Sequence, residues 1–224
     1  MTVLPEGQTS ADVAVAVSPD DLVMVLGEAP GAVEQERGKP FVGGSGELLH
    51  SMLKECGLES YYVSNIAKHQ PYKDRQGKQQ APDATVIKAC SPFLKQEFAL
   101  IKPAKLILLG KSAAKLVCEG NFSMGKVVNQ NYEYKGVPSE CRCIGISTMQ
   151  GCPQHDSRGR VSTQNEANDT IKALVLYHPA HFLYNRTAPW IQKQMADWKR
   201  AVRMFLGDRP PTYQIEKVEC ETHD

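Results

Sequence analysis

Residues Leu22–Leu49 read LVMVLGEAPGAVEQERGKPFVGGSGELL. The five leading apolar residues form a continuous run, the pattern of a strand covered on both faces rather than of one half open to water. The run ends on Gly27-Glu28-Ala29-Pro30-Gly31, passes through a charged stretch and returns as Pro40-Phe41 among glycines. A buried strand does not need a glutamate at its end, and a helix does not need an aromatic set among glycines. Both suit a site. After the glycines, SGELLHSMLKECGL places Leu48, Leu49, Met52 and Leu53 at helical spacing, with Gly57 as the stop.

The same alternation continues along the chain. Strand-like runs stand at YYVSN (Tyr61–Asn65), AKLILLG (Ala104–Gly110) and KALVLY (Lys172–Tyr177). Between them, Asp83 caps a predicted helix through ATVIKACSPFLKQEFALI, with a kink or break expected near Pro92, and KSAAKLVC reads as a short helix. DVAVAV (Asp12–Val17) reads as a short edge strand, KVVNQNYEYKG as a hairpin and PWIQKQMADWKRAVRMFL as an amphipathic last helix. Strands alternating with helices predict an α/β fold, a three-layer sandwich around a central four-stranded, mainly parallel sheet.

In such sheets, sites lie outside the carboxyl ends of the strands. Here the four strand ends deliver Glu28, Asn65, Gly110 and His178 to one rim. Four separate segments converging in this way say more than any single motif. GGSG (Gly43–Gly46) opens a helix and can bring backbone amides, with Gly44 and Ser45, close to a phosphate. It lacks the Lys-Ser/Thr of a nucleotide-binding P-loop, which argues against ATP.

The totals set bounds. With 26 basic and 25 acidic residues in 224, the net charge of +1 excludes a wholesale polyanion binder but not a local basic face. Such a face is offered by Lys68, His69, Lys73, Arg75 and Lys78. No apolar run approaches the roughly 20 residues of a membrane helix. The first residues lack a secretion signal, and seven cysteines in that setting point to a reducing cytosol. The expectation is a cytoplasmic, nucleoid-associated monomer with no membrane partner.

GEAPGAVEQERGKPFVGGSGELL, SNIAKHQP, KACSPFLKQEFALIKPAKLILLGKSAAK and YHPAHFLYNR resemble, in order, the successive motifs of the uracil-DNA glycosylase superfamily, nearest its family 4 branch. The resemblance implies a monofunctional DNA glycosylase. Such an enzyme hydrolyses the bond between an extruded base, by default uracil, and its deoxyribose, leaving an abasic site. It implies one glycosylase-like domain over residues 12–207, enlarged at about 120–170, with a flexible arm at 1–11 and a tail at 208–224.

Carried over residue by residue, the resemblance makes Glu28, Glu34 and His178 catalytic, and Ala29, Phe41 and Asn65 the base pocket. Glu28 would handle water, and Glu34 would meet the C5 edge of the base or assist with water. Phe41 would stack and Asn65 would read the base edge. His178 would donate to the departing base. DNA contacts would fall to Gly44, Ser45, Lys68, Lys111, Ser112 and Arg186, with Phe182 or Leu183 wedging the duplex. Each position has a plainer competing reading: a core phenylalanine, a turn asparagine, a structural histidine, a carboxylate capping turn amides.

Family 4 enzymes commonly hold a [4Fe–4S] cluster on four cysteines. This chain has no cysteine before Cys56, and of that set only Cys90 aligns. The expectation is therefore no cofactor. Cys141, Cys143, Cys152 and His155 supply zinc-type ligands, but at no standard zinc spacing. Two other functions stay open beside uracil excision. One is a same-fold glycosylase for a bulky modified base, as in anti-phage defence, which the 120–170 insertion suggests. The other is a non-catalytic DNA-binding replication accessory.

Overall fold

The structure, a computed structural model, describes residues 22–77, 79–135, 170–183 and 186–207. Several expectations lie outside them: the strand at 12–17, the arm and the tail, most of the insertion, Lys78, and the ligand set Cys141, Cys143, Cys152 and His155.

Twelve elements follow in chain order among the described residues: β1 (Val23–Gly27), α1 (Ala32–Arg37), α2 (Gly44–Glu55), β2 (Tyr62–Asn65), α3 (Ala84–Ile101), β3 (Lys105–Leu109), α4 (Gly110–Ala114), α5 (Met124–Val127), β4 (Gln130–Lys135), β5 (Thr170–Leu176), α6 (Ala180–Leu183) and α7 (Pro189–Leu206). The strands form one sheet in the order β2-β1-β3-β5-β4. The first four are parallel, and β4 is antiparallel to β5.

Side chains alternate across the sheet and divide the core in two. Val23, Val25, Ile107, Leu109, Leu174 and Leu176 face α2 and α7, where they meet Leu49, Leu53, Trp198 and Val202. Met24, Leu26, Leu106, Leu108, Ala173 and Val175 face the other way, against Leu94 and Phe98 of α3 and Ala113 of α4. The apolar runs of β1, β3 and β5 are thus covered on both faces, as their sequences predict. Trp198 is fully buried, and its indole N–H donates to the Tyr177 carbonyl at 3.1 Å, tying α7 to the end of β5.

The helix boundaries follow local chemistry. Asp83 caps α3 by accepting from the Val86 amide at 2.9 Å. α2 ends where Gly57 takes φ +84°, a left-handed geometry that favours glycine. α3 runs unbroken through Pro92, so the helix has no break there. An interior proline costs about 3 kcal/mol, which the burial of Cys90, Leu94 and Phe98 on one helix face offsets.

Among the described residues the sheet has five strands rather than the four expected. KVVNQNYEYKG does not form a hairpin: Val127 ends α5, Asn129 turns the chain at φ +60°, and only Gln130–Lys135 extends. Tyr132 and Tyr134 pack inward while Glu133 and Lys135 face solvent, the period-two pattern of a charged edge strand. Its partner β5 is remote in sequence, so no local signal announced the pairing. Among the described residues no helix is long and apolar enough to cross a membrane.

α2 has one position where only glycine fits. A Cβ on Gly46 would lie 1.9 Å from the Phe41 carbonyl oxygen, whereas a Cβ on Gly44 would meet nothing within 4 Å. Gly46→Ala is expected to lower the unfolding free energy by about 1–3 kcal/mol. Gly44→Ala, exposed in the first turn, is expected to raise it by about 0.5–1 kcal/mol. Urea denaturation of the two variants tests this opposition.

Candidate active site

β1 and β2 pair in register so that Gly27 stands opposite Asn65. A Cβ on Gly27 would lie 2.5 Å from Asn65 Oδ1 and 2.5 Å from Phe41 Cζ. The missing side chain is therefore what brings the asparagine and the phenyl ring together at the strand end. Phe41 itself sits at φ +55°, unusual for a residue with a side chain, and is buried. Two supports hold it there. Gly46 leaves room for its carbonyl, and His50 Nε2 donates to that carbonyl at 3.1 Å while Nδ1 meets the Tyr61 hydroxyl at 2.5 Å.

The Phe41 ring lies beside the His178 imidazole, centroids 5.8 Å apart and planes 27° apart. The backbone amide of Ala180 donates to His178 Nδ1 at 3.2 Å. An acceptor at Nδ1 cannot carry a proton, so the neutral ring holds its N–H at Nε2. Among the described residues Nε2 has no protein partner. Burial pushes the imidazole pKa down to about 4, and the nearby Glu34 carboxylate opposes this only in part. At neutral pH His178 is an uncharged donor. Asn65 is also buried, and its side-chain amide makes no hydrogen bond among the described residues.

Glu34 sits in α1, a short helix absent from the sequence reading. Its Oε1 accepts from the Gly43 amide at 2.8 Å and its Oε2 from the Gly31 amide at 3.1 Å. The carboxylate thus latches the β1–α1 turn to the start of α2. Glu28 accepts from the buried Ser112 hydroxyl at 2.5 Å. Its backbone carbonyl also accepts from the Ala67 amide at 3.0 Å, joining the ends of β1 and β2. Glu28, Glu34, Phe41, Asn65 and His178 therefore stand on elements that meet at one rim.

The predicted DNA contacts are placed less uniformly. Gly44, Lys111 and Arg186 are exposed, and Ala29 and Ser45 are half-buried. Ser112 is turned inward onto Glu28. Lys68 Nζ is drawn into the fold, donating to Ser64 Oγ at 2.8 Å, the Asn65 carbonyl at 2.8 Å and Glu97 Oε2 at 2.6 Å. Burial lowers the Lys68 pKa, with the Glu97 charge opposing. Phe182 is fully buried in α6 and would have to leave the core to enter a duplex. Leu183 beside it is half-buried. Sequence reasoning named Gly27 and Gly46 but not the close approaches they permit, and it missed His50 and Glu97. A glycine closing a buried strand was the available signal for the first. The others act across contacts that no local pattern marks.

A four-thiolate cluster does not fit the described cysteines. Cys56 lies on the α7 side of the sheet, its Sγ against the Lys199 carbonyl at 3.5 Å. Cys90 and Cys118 lie on the opposite face. Cys90 accepts from the Lys68 amide at 3.3 Å. Among the described residues no three His, Cys, Asp or Glu side chains are grouped to hold a metal.

A family profile described as the uracil DNA glycosylase superfamily matches residues 15–206. The chain is 36% identical over 201 residues to a type-4 uracil-DNA glycosylase of Sulfurisphaera tokodaii, covering 87% of this chain and 74% of that protein. It is 31% identical over 193 residues to the type-4 enzyme of Saccharolobus solfataricus, covering 85% and 74%. It is 35% identical over 126 residues to that of Pyrobaculum aerophilum, covering 55% and 60%. The matched region thus spans from three-fifths to about three-quarters of these relatives' lengths.

The latch makes a direct prediction. Glu34→Ala leaves two backbone N–H groups without their acceptor and is expected to lower the unfolding free energy by about 2 kcal/mol. Glu34→Gln keeps one carbonyl acceptor and is expected to lose less. Denaturant titration of both variants measures the difference.

Proposed function

The chain belongs to the uracil DNA glycosylase superfamily, and we propose that it is a monofunctional DNA glycosylase releasing uracil from DNA to leave an abasic site. The observation that carries this reading is His178, held neutral with its N–H on Nε2, which has no partner among the described residues, beside Phe41. A preorganised N–H donor there can hydrogen-bond the oxygen on which negative charge gathers as the base departs.

The geometry supports a role for each residue. An extruded pyrimidine stacks on Phe41, whose backbone carbonyl His50 bonds and Gly46 leaves room for. The Asn65 amide supplies one donor and one acceptor to the O4/N3 edge. The N1–C1′ bond then breaks with its electron pair going to the base. Negative charge gathers on O2, where the Nε2–H of His178 donates. Glu28, oriented by Ser112, faces the positive charge left on the sugar and accepts a proton from the water whose oxygen bonds to C1′. That proton leaves with the basic base anion, which completes the hydrolysis. Glu34 acts as the latch that sets the distance between Glu28 and Phe41. Gly44, Ser45, Lys111 and Arg186 are the exposed candidates for phosphate contact, and Leu183 for the wedge. No step passes through a metal or a cluster.

Two outcomes test the reading. His178→Ala is expected to slow uracil release in single-turnover assays by about 10²–10³-fold, with DNA binding retained. The pH profile carries a sign. His178 is neutral above its pKa of about 4 and protonates only as pH falls through it. Lowering pH from 7 to 5 is therefore expected to leave the His178-dependent part of the rate in place, as measured by the ratio of wild-type to His178→Ala rates. A ratio that collapses near pH 6.5 would contradict this.

A further inference from the structure

Lys68 opens a basic loop in the sequence, yet the structure turns its side chain inward. An ammonium has three N–H donors. All three are engaged within the fold, by Ser64 Oγ at 2.8 Å, the Asn65 carbonyl at 2.8 Å and Glu97 Oε2 at 2.6 Å. None is left for a phosphate. The Lys68 and Glu97 side chains are each only 19% exposed. The same Glu97 oxygen accepts from Ser64 Oγ at 2.9 Å, and the Tyr62 hydroxyl also hydrogen-bonds the carboxylate. Tyr62, Ser64 and Asn65 belong to β2 and Glu97 to α3, so the ion pair fastens the end of the strand to that helix.

The fastening sits at the residue proposed to meet the base edge. Among the described residues β2 is an edge strand paired with β1 alone. Past Asn65 the chain is held to β1 by the Ile66 and Ala67 amides, which donate to the Gly27 and Glu28 carbonyls at 3.0 Å each. It is held to α3 by the Lys68 amide, which donates to the buried Cys90 Sγ at 3.3 Å. The Lys68 ammonium then closes back on the Asn65 carbonyl, three residues behind it. The buried Asn65 amide makes no hydrogen bond of its own among the described residues. Its aim therefore depends on where its backbone stands and on the space that Gly27 and Phe41 leave it.

We propose that Lys68 and Glu97 are positioning residues for base release. They hold the peptide of Asn65, and through it the amide that meets the base, and do not themselves touch DNA. The inference rests on the base-release reading above and moves Lys68 from the phosphate contacts to the support of the pocket. Charge-assisted bonds suit a brace, being stronger than neutral ones, and partial burial strengthens them further. The precision matters because a misplacement of about 1 Å at a group that orients substrate can slow a reaction ~100-fold.

The test is single-turnover uracil release by the full chain, with enzyme in saturating excess, in a double-mutant cycle with Asn65. Lys68→Met is expected to slow release by about 10- to 100-fold. Affinity for the same duplex without uracil, and the salt dependence of that affinity, are expected to stay unchanged. In an Asn65→Ala background the same substitution is expected to slow release by less than about twofold, because the group through which Lys68 acts is gone. Lys68→Met leaves the Glu97 charge without its counter-ion. Lys68→Met/Glu97→Gln, a neutral pair of similar volume, is therefore expected to recover the melting temperature while release stays slow. That variant carries the cycle should the single one not fold. A rate that recovers with the melting temperature, or equal slowing in both Asn65 backgrounds, overturns the positioning role in favour of a purely structural one. Weaker DNA binding with a shallower salt dependence overturns it in favour of a phosphate contact, and an unchanged rate overturns it outright. A wild-type chain that releases no uracil overturns the base-release reading, and this inference with it.

Discussion

The site depends on an absence: the side chain that Gly27 does not have. β1 must end where Asn65 Oδ1 and the edge of the Phe41 ring both come within 2.5 Å of the place a Cβ would occupy. Alanine there would force apart Asn65 and the Phe41 ring. Because β1 is covered on both faces and paired on both sides, it cannot shift to relieve the clash. The sheet is thus a rigid frame, and the spacing of the proposed pocket is set by where its strands stop.

Around that point the polar groups are arranged so that each fixes another. Glu34 latches Gly31 to Gly43, His50 and Gly46 hold Phe41 in its left-handed backbone geometry, and Ser112 orients Glu28. The Ala180 amide fixes the tautomer of His178, and burial keeps it uncharged. Orientation is settled before any substrate arrives, the condition under which electrostatic stabilisation of a developing charge is most effective. The same burial has a cost in acid. The folded chain binds fewer protons at His178 than the unfolded chain does between the ordinary pKa of 6.5 and about 4. Its contribution to stability is therefore lost as pH falls through that window.

Much of this was legible in the sequence because the governing signals are local. The apolar runs at Val23–Leu26, Leu106–Leu109 and Ala173–Leu176 identified the parallel core, and the residues that follow them identified the rim. Glu28, Asn65 and His178 stand at strand ends as their positions imply. What the sequence did not yield depends on contacts between distant segments. β4 pairs with a strand far along the chain, and Lys68 looks like part of a basic loop until Glu97, on the next helix, comes beside it. Phe182 reads as a loop aromatic, yet α6 turns it into the core. Glu34 reads as chemistry and is found bonded to two backbone amides. In each case the partner lies outside the local sequence, where no pattern announces it, and buried polar and apolar groups find it on folding.

The central claim is that His178 is an uncharged donor with its proton on Nε2. Side-chain ¹⁵N NMR of the histidine ring across a pH titration measures this directly. The account predicts an Nε2–H tautomer at neutral pH that persists below pH 5, with protonation only near 4. An Nδ1–H tautomer, or a midpoint close to the ordinary 6.5, would contradict it.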